Sequence, residues 1–167
     1  ATVSGGGELN TSNNTANDLT TIIPCTSSTL VTNNADSGPG SLRHAIADAC
    51  NGGTITFAAS VSSPIVLSSE LVIDRSVTIQ GPGAYQVTIT GNNAVRIFNI
   101  PSGAYTIAIS GLTLSNGSSA NNNGGAISNA AAALTITNCQ LTNNQGFHGG
   151  AISNSGTVNI SGCTFSA

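Results

Sequence analysis

The sequence predicts an all-β fold, a right-handed single-stranded parallel β-helix (a solenoid) closed on its N-terminal side by one short capping α-helix. Three observations carry that reading. A block of sequence recurs at a short fixed period, one segment alone has helical periodicity, and charge is nearly absent.

The repeat sets the architecture. Gly124–Asn129 (Gly-Gly-Ala-Ile-Ser-Asn) recurs as Gly149–Asn154, an offset of 25, and Leu134–Leu141 recurs as Val158–Phe165, an offset of 24. A looser copy is Ile107–Leu114. A unit of that length without a helix pattern holds two or three short strands and their turns, which is one solenoid coil. Leu134, Ile136, Cys139 and Leu141 are expected to point inward and the Thr and Asn between them outward. Successive coils stack ~4.8 Å apart, and residues 53–167 supply roughly five of them.

The elements follow in order. Residues 1–24 read as an N-terminal arm or linker remnant, Gly/Asn/Thr-rich from Gly5 to Asn17, with Leu19, Thr20, Thr21, Ile22 and Ile23 as a short strand candidate before Pro24. Residues 25–52 read as a cap. Thr29–Thr32 is a strand, and Asn33–Gly40 is dense turn punctuation. Ser41 is a helix N-cap, with Leu42, Ala45, Ile46 and Ala49 on one face and Gly52 as the expected stop. His44 stands where a capping box would carry Glu or Gln. Short strands follow at Thr54–Phe57, Ile65–Leu67, Leu71–Ile73, Val77–Ile79 and Val87–Thr90, separated by Gly, Pro, Asn and Ser.

Composition narrows the function classes. Charged residues make up 5% of the 167, against about a quarter in ordinary domains. Arg96 is the last of them, so residues 97–167 can do no ionic chemistry with Asp, Glu, Lys or Arg. The net charge of −3, with no Lys/Arg patch, argues against nucleic acid. No apolar run approaches the ~20 residues that span a bilayer. The start, Ala1–Gly7, lacks the basic and apolar regions of a signal peptide, so a secreted protein would be read here in mature or excised form. Four cysteines without CxxC spacing suit an oxidising compartment better than a zinc site.

The segment Asp36–Ile46 (Asp-Ser-Gly-Pro-Gly-Ser-Leu-Arg-His-Ala-Ile) followed by Thr54–Phe57 resembles the N-terminal cap of bacterial right-handed parallel β-helix surface proteins, which carry CSLREA-type signatures or polymorphic-outer-membrane-protein-like repeats. Val77–Gly83 and the Gly-Gly-Ala-Ile-Ser-Asn repeats fit the same pattern, so the resemblance covers residues 29–167, though the CSLREA sequence itself is missing. It implies secretion and a surface role and supplies no catalytic motif. Glu8–Ala16 resembles the last strand of bacterial Ig-like repeat domains.

β-Helices also resemble the scaffold of pectate-lyase-like enzymes, which use acidic residues for calcium and a basic residue as proton acceptor. The repeats here carry neither. Asp74 and Arg75 read as a surface ion pair, Glu70 with Asp74 as a solvated rim, His148 as a loop residue, and His44 as solvent-facing or a local donor. Cys139 and Cys163 share a repeat position and read as stacked core thiols, whereas Cys25 and Cys50 bracket the cap and are either bridged or free. Thr54/Thr56, Thr88/Thr90 and Thr135/Thr137 read as solvated strand faces rather than an ice-ordering array, since Ala108 and Asn159 interrupt the pattern. Asn116 with Asn143, and Asn129 with Asn154, fall at matching turns where stacked amides hydrogen-bond along the axis. Few aromatics (Tyr85, Tyr105, Phe147) are available to stack on sugars.

The ends differ. Val158, Ile160, Cys163 and Phe165 belong to a last coil with no capping element after it. The expected function is therefore a non-catalytic extracellular or cell-surface module, a filament subunit or adhesin stalk, with no catalytic, cofactor or metal residues. It would assemble by head-to-tail coil stacking and strand addition of the arm. Expected partners are further copies of itself or neighbouring domains of a longer chain, with a glycan as a further candidate. A carbohydrate-binding module and a polysaccharide-lyase-like enzyme are the alternatives.

Overall fold

The computed structural model describes residues 24–119 and 123–167. The arm strand expected at Leu19–Ile23 lies outside the described residues. The remainder is an all-parallel β-solenoid of about five turns with one short helix.

The chain enters through β1 (Thr26–Val31), turns, and forms α1 (Leu42–Asp48). Ser41 caps the helix with extended backbone, its side chain accepting from the His44 N–H. The first coil comprises β2 (Ala49–Phe57), β3 (Ile65–Val66) and β4 (Leu71–Val72), and the second β5 (Val77–Gln80), β6 (Thr88–Thr90) and β7 (Phe98–Ile100). The third adds a short corner strand: β8 (Thr106–Ser110), β9 (Thr113–Ser115), β10 (Ser118–Ser119) and β11 (Ile127–Asn129). The fourth repeats it as β12 (Ala133–Thr137), β13 (Gln140–Thr142), β14 (Gln145–Gly146) and β15 (Ile152–Asn154). β16 (Thr157–Ser161) and β17 (Thr164–Ser166) make the fifth.

Strands of equal rank stack into faces. One sheet runs β1-β2-β5-β8-β12-β16, a second β3-β6-β9-β13-β17, a third β4-β7-β11-β15, and β10 pairs β14. Ile55, Ile79, Ile109, Ile136 and Ile160 are register partners in the first, and Ile65, Ile89, Leu114, Leu141 and Phe165 in the second. Alternation turns these apolar columns into the bore and leaves Thr, Ser and Asn outside. Leu134, Ile136, Cys139 and Leu141 are all buried, as the repeat predicts.

The corners explain the non-apolar part of the repeat. Asn116 and Asn143 have left-handed backbone (φ 50° and 53°), as does Asn138 (φ 52°) between Gly111 and Gly162 at the same turn of the neighbouring coils. A Cβ on Gly125 would run into the backbone of Gln145 and Gly150, so the Gly-Gly of the repeat marks where consecutive coils touch backbone to backbone.

Three local features depart from the sequence reading. The helix stops at Asp48 rather than at Gly52, because Ala49 switches directly to extended backbone and pairs with Thr26. Gly52 (φ 83°) sits instead in an irregular part of β2, where the pairing steps from Thr26↔Ala49 to Ser28↔Thr54. Strand β7 has no sequence-level counterpart, because Ile97 and Phe98 are both buried and break the alternation. Thr90 is buried rather than solvated, and its hydroxyl accepts from the Asn92 N–H.

Candidate functional site

Among the described residues, the charged side chains are spent on the scaffold. Arg43, on α1, donates to the Asp36 carboxylate at 2.8 Å and to the Ser69 and Glu70 carbonyls at 2.7 and 2.9 Å. It ties the cap turn to the first coil. Burial alone would push the Asp36 carboxyl up, but hydrogen bonds from Arg43 and Ser68, with the Arg43 charge, outweigh it and hold the group below its ordinary value. Arg75 pairs with Asp74 at 3.0 Å and donates to the Ala47 and Ala49 carbonyls at the C-terminal end of α1, where a cation is favoured. Arg96, 11% exposed, bridges Glu70 at 2.9 Å and donates to Ser119, Asn123 and Gly124. Glu70 also accepts from Asn99 at 2.8 Å.

Glu70 and Asp74 are both at least partly solvent-exposed, and each is bound to a different arginine. All three cationic residues of the chain, Arg43, Arg75 and Arg96, are accounted for as staples between neighbouring segments. His44 faces Asp48 one helical turn on, at 3.2 Å. The His148 ring lies edge-on to Phe147, centroids 4.6 Å apart. Among the described residues, no group of three or more His, Cys, Asp or Glu side chains is arranged to hold a metal ion.

The cysteines fall into two kinds. Cys25 and Cys50 are bonded, with Cα atoms 4.8 Å apart, across the irregular register where β1 meets β2. Cys139 and Cys163 are free thiols one coil apart. The Cys139 N–H points at the Cys163 sulfur at 3.4 Å, and the Cys139 thiol lies against the Thr137 carbonyl at 3.4 Å. Burial pushes the Cys139 thiol up from its ordinary pKa. Asn129 and Asn154 stack as amides, Nδ2 to Oδ1, at 2.6 Å.

The two ends of the solenoid are unlike. On the N-terminal side α1 lays Leu42, Ala45 and Ile46 over the bore, all buried. On the other side β16, β17 and β15 each have a neighbour on one edge only. Ile160 is 43% exposed and Phe165 49%, whereas their partners one coil earlier, Ile136 and Leu141, are 0% and 1% exposed. Val158 and Cys163 are only partly buried. Among the described residues, the apolar side chains of this coil are thus exposed where their partners one coil earlier are buried.

A second feature is a shallow groove at the corner between the first two faces, about 490 Å³, lined by Gln80, Pro82, Tyr85, Asn138, Gln140 and Thr164. It contains no charged side chain, and Tyr85 stands 83% exposed at its rim. Phe147 is exposed elsewhere, and Tyr105 packs against the core. No helix of the described residues is long and apolar enough to cross a membrane. No family model, curated protein or solved structure matches the chain.

Proposed function

We propose that the chain is a non-catalytic extracellular structural module, a filament subunit or adhesin stalk segment, that is extended along its axis by a strand or coil of a second copy seated on β16 and β17. The observation that supports this is the difference between Ile136 and Ile160. The same repeat position is sealed in one coil and half open in the next, and among the described strands β16 pairs with β12 alone, leaving an edge of the kind that accepts another strand. The Ile- and Thr-containing segment Leu19–Ile23 has the composition for such a strand. The resemblance of Asp36–Ile46 and the Gly-Gly-Ala-Ile-Ser-Asn repeats to bacterial β-helix surface proteins favours the same setting, and the Cys25–Cys50 bridge suits an oxidising compartment. Against catalysis, Asp36, Glu70 and Asp74 are each held by an arginine and Asp48 faces His44.

Negative-stain electron microscopy and light scattering of the purified chain test assembly. Fibres, or concentration-dependent oligomers abolished by Ile160→Glu and Phe165→Glu, are the expected result. Uniform monomers at all concentrations would overturn self-assembly and make the uncovered coil the seat of a different strand. A glycan-binding reading is favoured by one observation, Tyr85 standing over a neutral amide-lined groove. A glycan array with Tyr85→Ala as control tests it, and a blank array removes it.

A further inference from the structure

The Cys25–Cys50 bridge links the residue before β1 to the second residue of β2, 25 positions on. The loop it closes holds β1, the turn over 32–41 and all of α1. We infer that the bridge is a mechanical lock. A load arriving from the N-terminal side of Cys25 passes through the sulfurs to Cys50 and bypasses the cap altogether.

The geometry shows what the lock prevents. β1 is an edge strand whose only strand partner among the described residues is β2, and Leu30 is exposed on it. Pulled from its N-terminal end without the bridge, its ladder would open one bond at a time, and α1 would follow once uncovered. With the bridge, the first residue to feel the load is Cys50. To move it, several contacts must fail together. β2 must leave β5, and the Gly52 N–H must leave the Ser76 carbonyl at 2.6 Å. Arg75 must release Ala47 and Ala49, and Arg43 must release Ser69 and Glu70. The unit that yields is the cap together with β2 as one body. This holds whether the load comes from a second copy or from preceding domains, so it does not depend on the assembly proposed above.

Single-molecule pulling of the full chain by its two ends tests the inference, first oxidised and then with a phosphine reductant added to the same folded molecules. Cys139 and Cys163 are free, so Cys25–Cys50 is the only bridge the reductant meets among the described residues. Oxidised molecules should show no early low-force event. Reduction should add one that precedes the main rupture and releases about 90 Å, the extended length of 25 residues at ~3.6 Å each. The double variant Cys25→Ser/Cys50→Ser should behave like the reduced protein. If the added length emerges within or after the main rupture, with the first rupture force unchanged, the cap needs no protection and the lock is refuted.

Discussion

Ile136 and Ile160 are direct register partners on β12 and β16, yet the first is fully buried and the second is 43% exposed. The two side chains are chemically identical and sit in the same column, so the difference measures what the next coil contributes. Replacing Ile136 by Ala leaves a cavity walled on both sides and should cost about 2–5 kcal/mol in urea unfolding. Ile160→Ala removes a side chain with one wall and should cost well under half as much in the monomer. In an assembled sample the two costs should converge, because stacking buries Ile160. Equal costs in a proven monomer would mean that the column is not packed as described.

Thiol chemistry reads the same surface independently. Cys139 is buried and its pKa is raised, so the reactive thiolate is scarce as well as inaccessible. Cys163, on the open coil, is partly exposed. A small aromatic disulfide reagent should therefore label one thiol per native chain quickly, abolished by Cys163→Ser, and the second only on unfolding. Assembly through β16 and β17 should protect Cys163. Rapid labelling of both thiols in the folded state would contradict the packing of the fourth coil.

Much of the fold was legible because the repeat makes separation in sequence a coordinate in space. Leu134 and Val158, 24 apart, were recognisable as axial neighbours, and so were Asn129 and Asn154. The same rule identifies what composition hid. Glu70 and Arg96 are 26 apart and paired one coil from the other, and Cys25 and Cys50 are 25 apart and bonded. Asp74 next to Arg75 looked like the whole of that ion pair, because no local signal reveals that Arg75 also reaches back to Ala47 and Ala49. Phe98 gives no strand signal in the sequence, because two adjacent buried residues carry no period-2 signature.

The Arg43–Asp36 contact gives the cap a pH dependence. The folded-state pKa of Asp36 is depressed, so its contribution is fully present above the unfolded value of ~3.9 and is lost as pH falls through the lower folded value. The stability difference between the native chain and Asp36→Asn should be constant from neutral pH down to about pH 5. It should then shrink steadily on further acidification. Thermal melts of both chains from pH 7 to pH 2 provide the check, and a difference that grows with acid would reverse the assigned sign.

Gly125 and Gly150 occupy the same place in consecutive repeats but face different surroundings. A Cβ on Gly125 would be driven into the backbone of both Gln145 and Gly150, which belong to the next coil and have no freedom to yield. On Gly150 it would meet only the Asn144 carbonyl, at 3.0 Å. Neither residue has a positive φ, so backbone conformation does not confuse the comparison. Gly125→Ala should destabilise the monomer by about 1–3 kcal/mol or more, the cost of overpacking a close contact, whereas Gly150→Ala should be mild. The asymmetry also reports on assembly. If a second copy stacks on the last coil in the same register, Gly150→Ala should block oligomers while leaving the monomer folded. A Gly150→Ala chain that assembles normally would require the contact to form elsewhere along β16 and β17.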